Sequence, residues 1–593
     1  MKPLDAGTGR LCASFDVDTA AWLSMGAPHE RHGFVELSAL DPFDETTRGN
    51  ALATRRYRLD MTRAEHAFLI VMLDGAPPVL AADATDPIRP RWAGDGVVVE
   101  ISADPDASVI RQRWEFEDDR RDVAVIVRGR LDRPALAEIT ELDPPVPTGA
   151  LTAITTDGAV ARWAARSLPA DASASVLGCA VAWHSTGSQL VGTLTWPAGA
   201  MARSFTIEAG LRPLSPDGTR SSRSVATGDR LTDRALAYVR GCTALRVAAH
   251  ERTILTDHRL LPLSWTRDAY WQALALLAAD GPGDRKRVAD HLRWLWRRCE
   301  RPDGRWVRSH HANGRRKDLA FQADQQLYPL VELADYWRLT ASLPEGVDWS
   351  SAVAAAWAAA LEEIDPSTGL MASTENAADD PVAAPFIASS QILLWYTAQR
   401  VAEMAVADGL KIDVAGIQAT ATTIRAAFDL HFGGGPWPYA VDGRSLRVAY
   451  HDANDLPVAL APLWGFCHAT DPGWQATMAF AFSDANHGRS AGSRPGLGSA
   501  HTEGAWTLGD IQVWIHSRLM GDERAARASL ARLQEVAFAD GMLPEAYGAD
   551  AHDRIRHWFA WPGATLAALR LLDDRGELGD RLVAGGSPSD TIA

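Results

Sequence analysis

Residues 231–245, LTDRALAYVRGCTAL, mark the point at which the periodicity of the sequence changes. Their apolar residues recur three and four positions apart, the spacing of an amphipathic helix. Eleven further segments of this kind follow, with almost no strand between them, near 268–280, 284–299, 321–341, 350–364, 388–408, 412–430, 456–468, 471–483, 504–520, 522–538 and 562–573. Twelve helices in pairs predict an (α/α)6 barrel, whose long loops at one end would carry the site. A helical solenoid is the competing architecture, but a solenoid should show a fixed internal period, which is absent here.

The first part of the chain has a different pattern. Short alternating or β-branched runs recur between clusters of Gly, Pro and Asp, at 66–73, 96–102, 108–116, 122–129, 176–184, 190–196 and 203–209. This spacing is typical of an antiparallel sandwich. We therefore predict a multidomain β + α protein, with an N-terminal β-sandwich domain over 1–225 and an (α/α)6-barrel catalytic domain over 226–593. The first domain is expected to have a structural role, with a carbohydrate-binding module as the alternative.

Composition limits the possible partners. The chain has 593 residues, 47% of them hydrophobic and 23% charged, as in an ordinary globular protein. Its net charge of -16 argues against nucleic acid or an anionic membrane as partner. Neither a signal-peptide core nor a run of about twenty apolar residues is visible in the sequence.

Cysteine and motif content bear on location and cofactors. The five cysteines are odd in number and scattered, which predicts reduced thiols and a cytoplasmic location: Cys12, Cys179, Cys242, Cys299 and Cys467. There is no HExxH, no Cys/His zinc pattern and no Walker loop, so we predict neither a metal nor another cofactor. The sequence leaves the oligomeric state open, and a homo-oligomer is one option.

Tryptophan is abundant in the helical part. The chain has 22 tryptophans against 9 tyrosines, and 16 of the 22 follow residue 226. Indole rings stack on the apolar faces of sugars and donate one N–H, so a Trp-rich cleft suits a carbohydrate substrate. Most of these side chains are nevertheless expected in the helical core.

One stretch combines a carboxylate with aromatic and basic residues: GMLPEAYGADAHDRIRHWFAWPGATLAALRLL, 541–572. Glu545 lies in a short turn, and Arg556 and Trp558 follow it. A carboxylate beside indoles and an arginine can be charged, oriented and partly shielded from water, as a sugar-cleaving base must be. A surface Glu before a core helix is the other interpretation.

Two helix starts carry polar residues. Arg267 and Asp268, in LSWTRDAYWQALALL (263–277), offer a planar donor fork and an acceptor for adjacent sugar hydroxyls. In DLAFQADQQLYPLVELADYW (318–337), Asp324 lies among glutamines, and Pro329 is expected to bend or interrupt the helix. Helix capping with a surface ion pair, and a buried hydrogen-bond network, are the plainer interpretations.

The loop in STENAADDPVAAPFIASSQILLWY (373–396) presents Glu375, Asp379 and Asp380 within six residues. Adjacent carboxylates raise one another's pKa when they are desolvated, so one of them can stay protonated as a general acid. A solvated acidic loop is the alternative.

Two further segments have polar residues ahead of a helix. The first, YAVDGRSLRVAYHDANDLPVALAPLWGF (439–466), contains His451, Asp452, Asn454 and Asp455. The second, RPGLGSAHTEGAWTLGDIQVWI (494–515), contains His501 and Glu503. In the second segment, Gly496 and Gly498 are expected to allow the backbone to approach a ligand closely.

Together, in order, these six segments resemble the metal-independent exo-α-mannosidases of glycoside hydrolase family 125, and more distantly the glucoamylase-like six-hairpin glycosidases. WTRDAYWQ resembles the family's WLRDS, LAFQADQQLYP its ELDSLCYP, and NAADDPVAAPFIASSQ its SDDA…IPSN. VAYHDANDLPVAL is similar to DDANVPSLL, GLGSAHTEGAW to GIGSPHTPG, and LPEAYGADAHDRIRHWFAW to MHES…TRPWFAWAN.

The resemblance implies an inverting glycosidase. Glu545 would be the general base, and Asp379 or Asp380 the general acid, with Asp379 favoured by its distance from Phe386 and Glu375 as a third candidate. The terminal sugar would be bound by Arg267, Asp268, Asp324, Glu375, Asp452, Asn454, His501, Arg556 and Trp558.

Departures from the family motifs bear on the substrate. Ala-Asp-Gln replaces Leu-Asp-Ser, His451-Asp452 replaces Asp-Asp, and Pro544-Glu545-Ala546 replaces His-Glu-Ser. The expected activity is release of a terminal α-linked sugar, mannose first and glucose second. A non-hydrolytic sugar-binding protein and an (α/α)-barrel polysaccharide lyase are the alternatives.

Overall fold

The computed structural model describes residues 2–40, 51–86, 89–117, 121–134, 152–166, 168, 170–186, 189–196, 203–212, 226–492, 494–548, 554–555 and 558–577. The chain divides into two compact units. The β unit consists of Met1–Ser264, His310–Lys317 and Phe538–Gly541, and the helical unit of Trp265–Ser309, Asp318–Ala537 and Met542–Ala593. The predicted domain boundary between residues 225 and 226 adjoins a stretch outside the described residues and stays a prediction.

Two antiparallel sheets form most of the β unit. One has nine strands, in the order β1-β2-β3-β5-β10-β16-β15, with β4 paired to β3 and β11 to β4. Its strands are β1 Leu4–Gly7, β2 Cys12–Phe15, β3 Trp22–His29, β4 Gly33–Ser38, β5 Leu69–Leu73, β10 Val123–Val127, β11 Arg130–Asp132, β15 Ala180–Thr186 and β16 Gln189–Thr195.

The other sheet has eight strands, in the order β12-β13-β14-β17-β9-β8-β7-β6. Its strands are β6 Ala81–Asp83, β7 Arg91–Gly94, β8 Val97–Ser102, β9 Val109–Phe116, β12 Thr152–Asp157, β13 Val160–Ala165, β14 Asp171–Leu177 and β17 Ser204–Arg212. Smaller elements of the unit are α1 Ala51–Asp60, α2 Arg230–Tyr238, β18 Ala244–Ala248, β19 Glu251–Ile254, β20 Leu263–Ser264 and β21 His310–His311.

A single buried core is shared by the two sheets. Phe15 of β2 and Trp92 of β7 have ring centroids 6.1 Å apart. The indole N–H of Trp22 on β3 donates to Gln112 Oε1 on β9 at 2.7 Å. Trp22 therefore buries its apolar ring without leaving its indole N–H unpaired.

The predicted strand segments all coincide with strands, but 176–184 covers parts of two strands, β14 in the eight-stranded sheet and β15 in the nine-stranded sheet. β14 ends at Leu177 and β15 begins at Ala180, because Gly178 adopts a positive φ of 97°. Strands β1–β4 were not predicted. Their residues are almost all buried on both faces, so they lack the alternation that marks a half-exposed strand.

The helical unit contains eleven helices among its described residues. They are α3 Thr266–Ala279, α4 Asp284–Arg297, α5 Ala323–Thr340, α6 Trp349–Leu361, α7 Ala388–Asp408, α8 Val414–Phe432, α9 Leu456–Leu460, α10 Pro472–Ala481, α11 Thr507–Leu519, α12 Glu523–Val536 and α13 Trp561–Asp574. Short strands lie between them: β22 Phe386–Ile387, β23 Ala440–Val441, β24 Arg447–Val448, β25 Arg489–Ser490, β26 Gly496–Leu497, β27 Ala505–Trp506, β28 Ala546–Tyr547 and β29 Arg554–Ile555.

Six of these helices close into a ring. α3 packs against α5, α5 against α7, α7 against α9, α9 against α11, α11 against α13, and α13 against α3. Four of the other five helices attach to this ring, α4 to α3 and α5, α6 to α5, α8 to α7, and α12 to α11. Ring helices such as α3 are buried on nearly every side, whereas α8 buries only one stripe. Position in the ring therefore explains why some helices are apolar all round and others amphipathic.

Each of the twelve predicted helices coincides with an observed helix, but two were predicted too long. The segment 231–245 leaves the α-helix after Tyr238 and enters β18 at Ala244. Gly241 lies against the backbone of Gly7, where a Cβ would come within 2.6 Å of the Gly7 oxygen. The segment 456–468 is helical only to Leu460; Pro462 follows, and Val458 O accepts the Trp474 indole N–H at 2.9 Å instead.

Pro329, which was expected to bend or interrupt its helix, does not interrupt it. α5 runs from Ala323 to Thr340 with Pro329 inside it. A proline cannot donate to the carbonyl four residues earlier, which is that of Gln325. Thr266 Oγ1 donates to this carbonyl at 3.0 Å. A contact from α3 therefore satisfies the group that the proline leaves unbonded.

Candidate functional site

The first turns of the ring helices lie next to one another. Thr266 N, at the start of α3, donates to Gln325 Oε1 of α5 at 2.7 Å. The guanidinium of Arg267 lies 6.0 Å from the ring centroid of Trp561, the first residue of α13. Gln512 of α11 donates to Ala453 O, just before α9, at 2.8 Å. The ring helices therefore present their N-terminal ends, and the loops that precede them, on the same side.

Arg267 is a buried cation at the N-terminal ends of the ring helices. Its Nη1 lies 2.8 Å from Asp324 Oδ2, its Nε 3.5 Å from Asp268 Oδ1, and its Nη2 3.8 Å from Asp379 Oδ1. Burial alone would lower the pKa of Arg267, but these three carboxylates together raise it above its usual value. Three predicted site residues from three separate segments thus share one guanidinium.

Asp379 is held by donors from two ring helices. The Trp265 indole N–H donates to Oδ2 at 3.2 Å, and Gln322 Nε2 donates to Oδ1 at 2.6 Å. The backbone of Asp379 has a positive φ of 67°, in the left-handed region that Asp tolerates better than most residues. Residues held in such conformations cluster at functional sites. The carboxyl is therefore fixed in one orientation on the inner side of its loop.

Glu375 is held in the same network. Arg308 Nη1 lies 3.3 Å from its Oε1 and 3.2 Å from its Oε2, while Gln322 Nε2 donates to Oε2 at 3.1 Å. Burial raises the pKa of Glu375, whereas Arg308 and then Gln322 lower it and Asp379 raises it further. Arg308 is in turn held by Asp318 at 2.6 Å.

Asp380 faces a different loop from Asp379. Its Oδ1 lies 3.1 Å from His501 Nδ1, which joins the 375–380 loop to the Gly-rich loop. Its Oδ2 is buried and has no hydrogen-bond partner among the described residues. This carboxyl thus retains an acceptor for a hydroxyl group.

A third group precedes α9. Asp452 accepts from Tyr450 Oη at 2.6 Å and from Asn454 Nδ2 at 2.8 Å. Asn454 is 5% exposed, and within the described part of the chain its Oδ1 has no hydrogen-bond partner. Burial and the neighbouring carboxylate of Asp452 raise the pKa of Asp455 to about 8, although hydrogen bonds from Ser389 and Asp452 N act in the opposite direction. The site therefore contains a carboxyl that is protonated at neutral pH.

Glu545 occupies the position just before β28. It is 4% exposed. Its backbone carbonyl oxygen accepts from Thr507 N at 3.1 Å, and its backbone N–H donates to Ile555 O at 3.1 Å. Thr507 begins α11, so the backbone of Glu545 is fixed at the N-terminal end of a ring helix. Trp558 is buried shortly before α13. Arg556 lies outside the described residues.

The two glycines of the Gly-rich loop lie in close contacts within the protein. A Cβ on Gly498 would come within 2.3 Å of Gly504 O, and one on Gly496 within 2.9 Å of the Ala505 Cβ. Gly498 also forms an isolated bridge with Ala505. A side chain at either position would therefore clash, and the approach of a ligand to this backbone stays a prediction.

Five residues in the site were not predicted to belong to it: Trp265, Arg308, Gln322, Tyr450 and Asp455. Trp265 and Gln322 each stand two residues before a predicted site residue, so proximity in sequence was a usable signal. Arg308 lies outside every predicted motif. Nothing local distinguishes it, since its role depends on Glu375, 67 positions away.

A separate cavity lies at the other side of the ring. Its volume is about 50 Å³, and its lining includes Tyr270, Asp335, Arg338, Tyr396, Trp464 and Glu577. None of the predicted site residues lines it. Within the described ranges, no group of three or more His, Cys, Asp or Glu residues could hold a metal ion. No described helix is both long and apolar enough to cross a membrane.

Comparisons with known proteins agree with the motif resemblance. Residues 354–571 match the family model of metal-independent α-mannosidases, glycoside hydrolase family 125. Four of the six motifs lie within this match, whereas those around Arg267 and Asp324 precede it. No match was found among curated protein sequences.

Two of the solved structures that resemble the chain have TM-scores of 0.50 or more. One is a Streptococcus pneumoniae metal-independent α-mannosidase in a non-productive complex with α-1,6-mannobiose; it is 19% identical, with a TM-score of 0.50 over 58% of this chain and 93% of that one. The other is a bacterial glucoamylase complexed with acarbose; it is 11% identical, with a TM-score of 0.62 over 98% of this chain and 95% of that one.

The predicted resemblance is confirmed over residues 354–571, and with it the enzyme class, a glycoside hydrolase. The structural similarities extend to the fold: a protein of antiparallel sheets and many helices that resembles glucoamylase-like glycosidases.

Proposed function

We propose that the protein is an inverting, metal-independent exo-α-glycosidase, built from a β-sandwich and an (α/α)6 barrel, that releases a terminal α-linked mannose in preference to glucose. The observation that carries this is that an acidic loop, 375–380, and Glu545 lie at the N-terminal ends of ring helices. The match to the metal-independent α-mannosidase family over residues 354–571 supports the sugar and the independence from metal.

Asp379 is proposed as the general acid. It is in contact with Trp265, Arg267 and Gln322, from the starts of two ring helices. A quarter of its side chain is exposed, so a substrate oxygen can reach it. Asp380 is instead held by His501 on the Gly-rich loop, and Glu375 by Arg308. Asp380 and Glu375 are therefore better suited to bind the sugar or to orient the general acid than to donate the proton.

Glu545 is proposed as the general base that activates water. Its backbone is fixed to Thr507 and Ile555, so the carboxylate starts from a defined position. Inversion requires that acid and base be about 6.5–9.5 Å apart, with a water molecule between the base and the anomeric carbon. The base removes a proton from this water as the acid protonates the leaving oxygen.

The remaining residues are proposed to bind the terminal sugar. Asn454 Oδ1 and Asp380 Oδ2 are buried acceptors that hydroxyl groups can satisfy. Arg267 and Asp268 form a donor and acceptor pair on the first turn of α3, with Asp324 on α5. Asp452 orients Asn454, while Arg556 and Trp558 complete the sugar site.

An NMR time course tests the proposal. The purified protein is incubated with α-linked mannobiose, maltose or isomaltose in excess EDTA, and the first anomer released is recorded. We expect β-mannose first, and faster release from mannobiose than from either glucose disaccharide. Initial release of the α-anomer would exclude inversion, and a loss of activity that added metal restores would exclude metal independence.

Three variants assign the roles. Glu545→Gln and Asp379→Asn should each lower kcat by about 10²–10⁴-fold, the usual worth of general acid–base assistance. Asp429→Asn, on the exposed side of α8, is the matched control and should leave the rate unchanged. If Asp380→Asn costs more than Asp379→Asn, the acid is assigned wrongly. If Glu545→Gln binds mannobiose as the wild type does and neither protein hydrolyses it, the protein is a sugar-binding protein.

A further inference from the structure

Gln322 occupies the centre of the acidic network. It is fully buried and extended, at the residue just before α5. Its backbone forms an isolated parallel bridge with Glu375. The side chain thereby points from a fixed backbone position toward the loop that carries Glu375 and Asp379.

All four hydrogen-bonding positions of this amide are in use. Nε2 donates to Asp379 Oδ1 at 2.6 Å and to Glu375 Oε2 at 3.1 Å. Oε1 accepts from Arg267 Nη1 at 3.2 Å and from Gln325 Nε2 at 3.1 Å. Because two donors face the oxygen, the NH2 group must face the two carboxylates.

We propose that Gln322 is a positioning residue that couples Glu375 to Asp379 through this shared amide. The inference deepens the proposed function, because it assigns the tuning of the proposed acid to one neutral side chain. Gln322 acts on the reaction through the side chains that it contacts, these two carboxylates and Arg267.

The charge balance around the pair gives the amide this influence. A hydrogen bond to an ionised carboxylate favours that form, and a nearby negative charge disfavours it. Two cations face the pair, and so do several acids from the neighbouring segments: Arg267, Arg308, Asp268, Asp318, Asp324 and Asp380, the last with His501. Glutamate at 322 would keep the contact with Arg267, remove both donated hydrogen bonds and add a negative charge.

The test compares Gln322→Met and Gln322→Glu with Gln326→Met. Gln326 lies on the same helix and is buried, but its amide bonds to the backbone of Trp306 at 2.6 and 3.0 Å. Melting temperature is measured from pH 5 to pH 8, and kcat and KM across the same range. The first measurement does not depend on catalysis.

For Gln322→Met we expect a loss of melting temperature that grows as the pH rises, because the carboxylates lose a donor to their ionised forms. In Gln326→Met the melting temperature should fall by the same amount at each pH. The alkaline limb of the pH profile of kcat/KM reports the general acid. It should move to higher pH in Gln322→Met, and by about one pH unit or more in Gln322→Glu. KM should change little.

An equal loss at pH 5 and pH 8 in Gln322→Met would overturn the coupling, because a space-filling side chain would behave in that way. So would an alkaline limb that stays in place in both variants of Gln322 while the enzyme remains active. A pH-dependent loss in a protein that hydrolyses none of the glycosides would leave the coupling standing and refute the proposed function alone.

Discussion

Replacing Arg267 with methionine should leave a set of buried carboxylates without their cation. The guanidinium contacts Asp324 at 2.8 Å, Asp268 at 3.5 Å and Asp379 at 3.8 Å, and its side chain is 7% exposed. Methionine retains much of the length and apolar volume of arginine. The variant therefore tests the charge more than the packing.

The expected loss is about 3–5 kcal/mol near neutral pH, since removal of one partner from a buried ion pair leaves an uncompensated charge. Because Arg267 is buried, water screens little of this uncompensated charge. For a helical unit of about 320 residues the unfolding entropy is about 0.7 kcal/mol/K, so the melting temperature should fall by about 4–7 °C.

The loss should depend on pH in a defined direction. Without the guanidinium, protonation of the clustered carboxyls becomes more favourable in the folded variant than in the unfolded chain. Stability that depends on such protonated groups is present at low pH and is lost as the pH rises. The difference from wild type should consequently be smallest near pH 4 and largest above pH 7.

The assay is thermal unfolding followed by circular dichroism, with Arg285→Met as the matched control. Arg285 also binds a carboxylate through two nitrogens, at 2.7 and 2.8 Å to Asp280, but its side chain is 53% exposed. An exposed pair is worth about 0–1 kcal/mol. Equal losses in the two variants, or a loss in Arg267→Met that does not change with pH, would refute the account of the buried cluster.

Two further predictions concern single groups. Because the pKa of Asp455 is raised to about 8, wild-type stability should fall as the pH rises from about 4 through 8. The melting temperature of Asp455→Asn, relative to that of the wild type, should therefore rise between pH 5 and pH 9. A difference that stays constant with pH would contradict the raised pKa of Asp455. Trp265→Phe removes the N–H that Asp379 accepts at 3.2 Å. It should lower kcat about tenfold, with KM nearly unchanged, in steady-state kinetics; an unchanged kcat would show that this bond does not orient the acid.

Much of the helical unit was predictable, because helix formation there follows local periodicity. The predicted segment 388–408 matches α7, and that for α4 differs only in its end. The failures occurred where another segment intervened. Gly241 ends its helix beside Gly7, and α5 continues through Pro329 because Thr266 bonds the free carbonyl. Strands buried on both faces, such as β3, carry no alternation to detect.

Candidate residues were predictable in type and in segment, but not in partnership. Asp379, Glu375 and Asp452 were identified as chemistry-bearing carboxylates from their motifs. Their partners include Arg308 and Gln322, whose positions beside Glu375 cannot be deduced from the residues around them. The distinction between Asp379 and Asp380 also depends on which loop each side chain faces.

The sequence by itself determined the local elements: the helices, about half of the strands in the two large sheets, and the polar residues that precede the ring helices. Periodicity and turn chemistry act over a few residues, so they can be read without the fold. Only the tertiary structure decided which of these residues meet. Arg267 and Asp324 are 57 positions apart, Trp265 and Asp379 are 114, and His501 and Asp380 are 121. Closure of the six-helix ring brings these pairs together, because it gathers the starts of distant helices at one end.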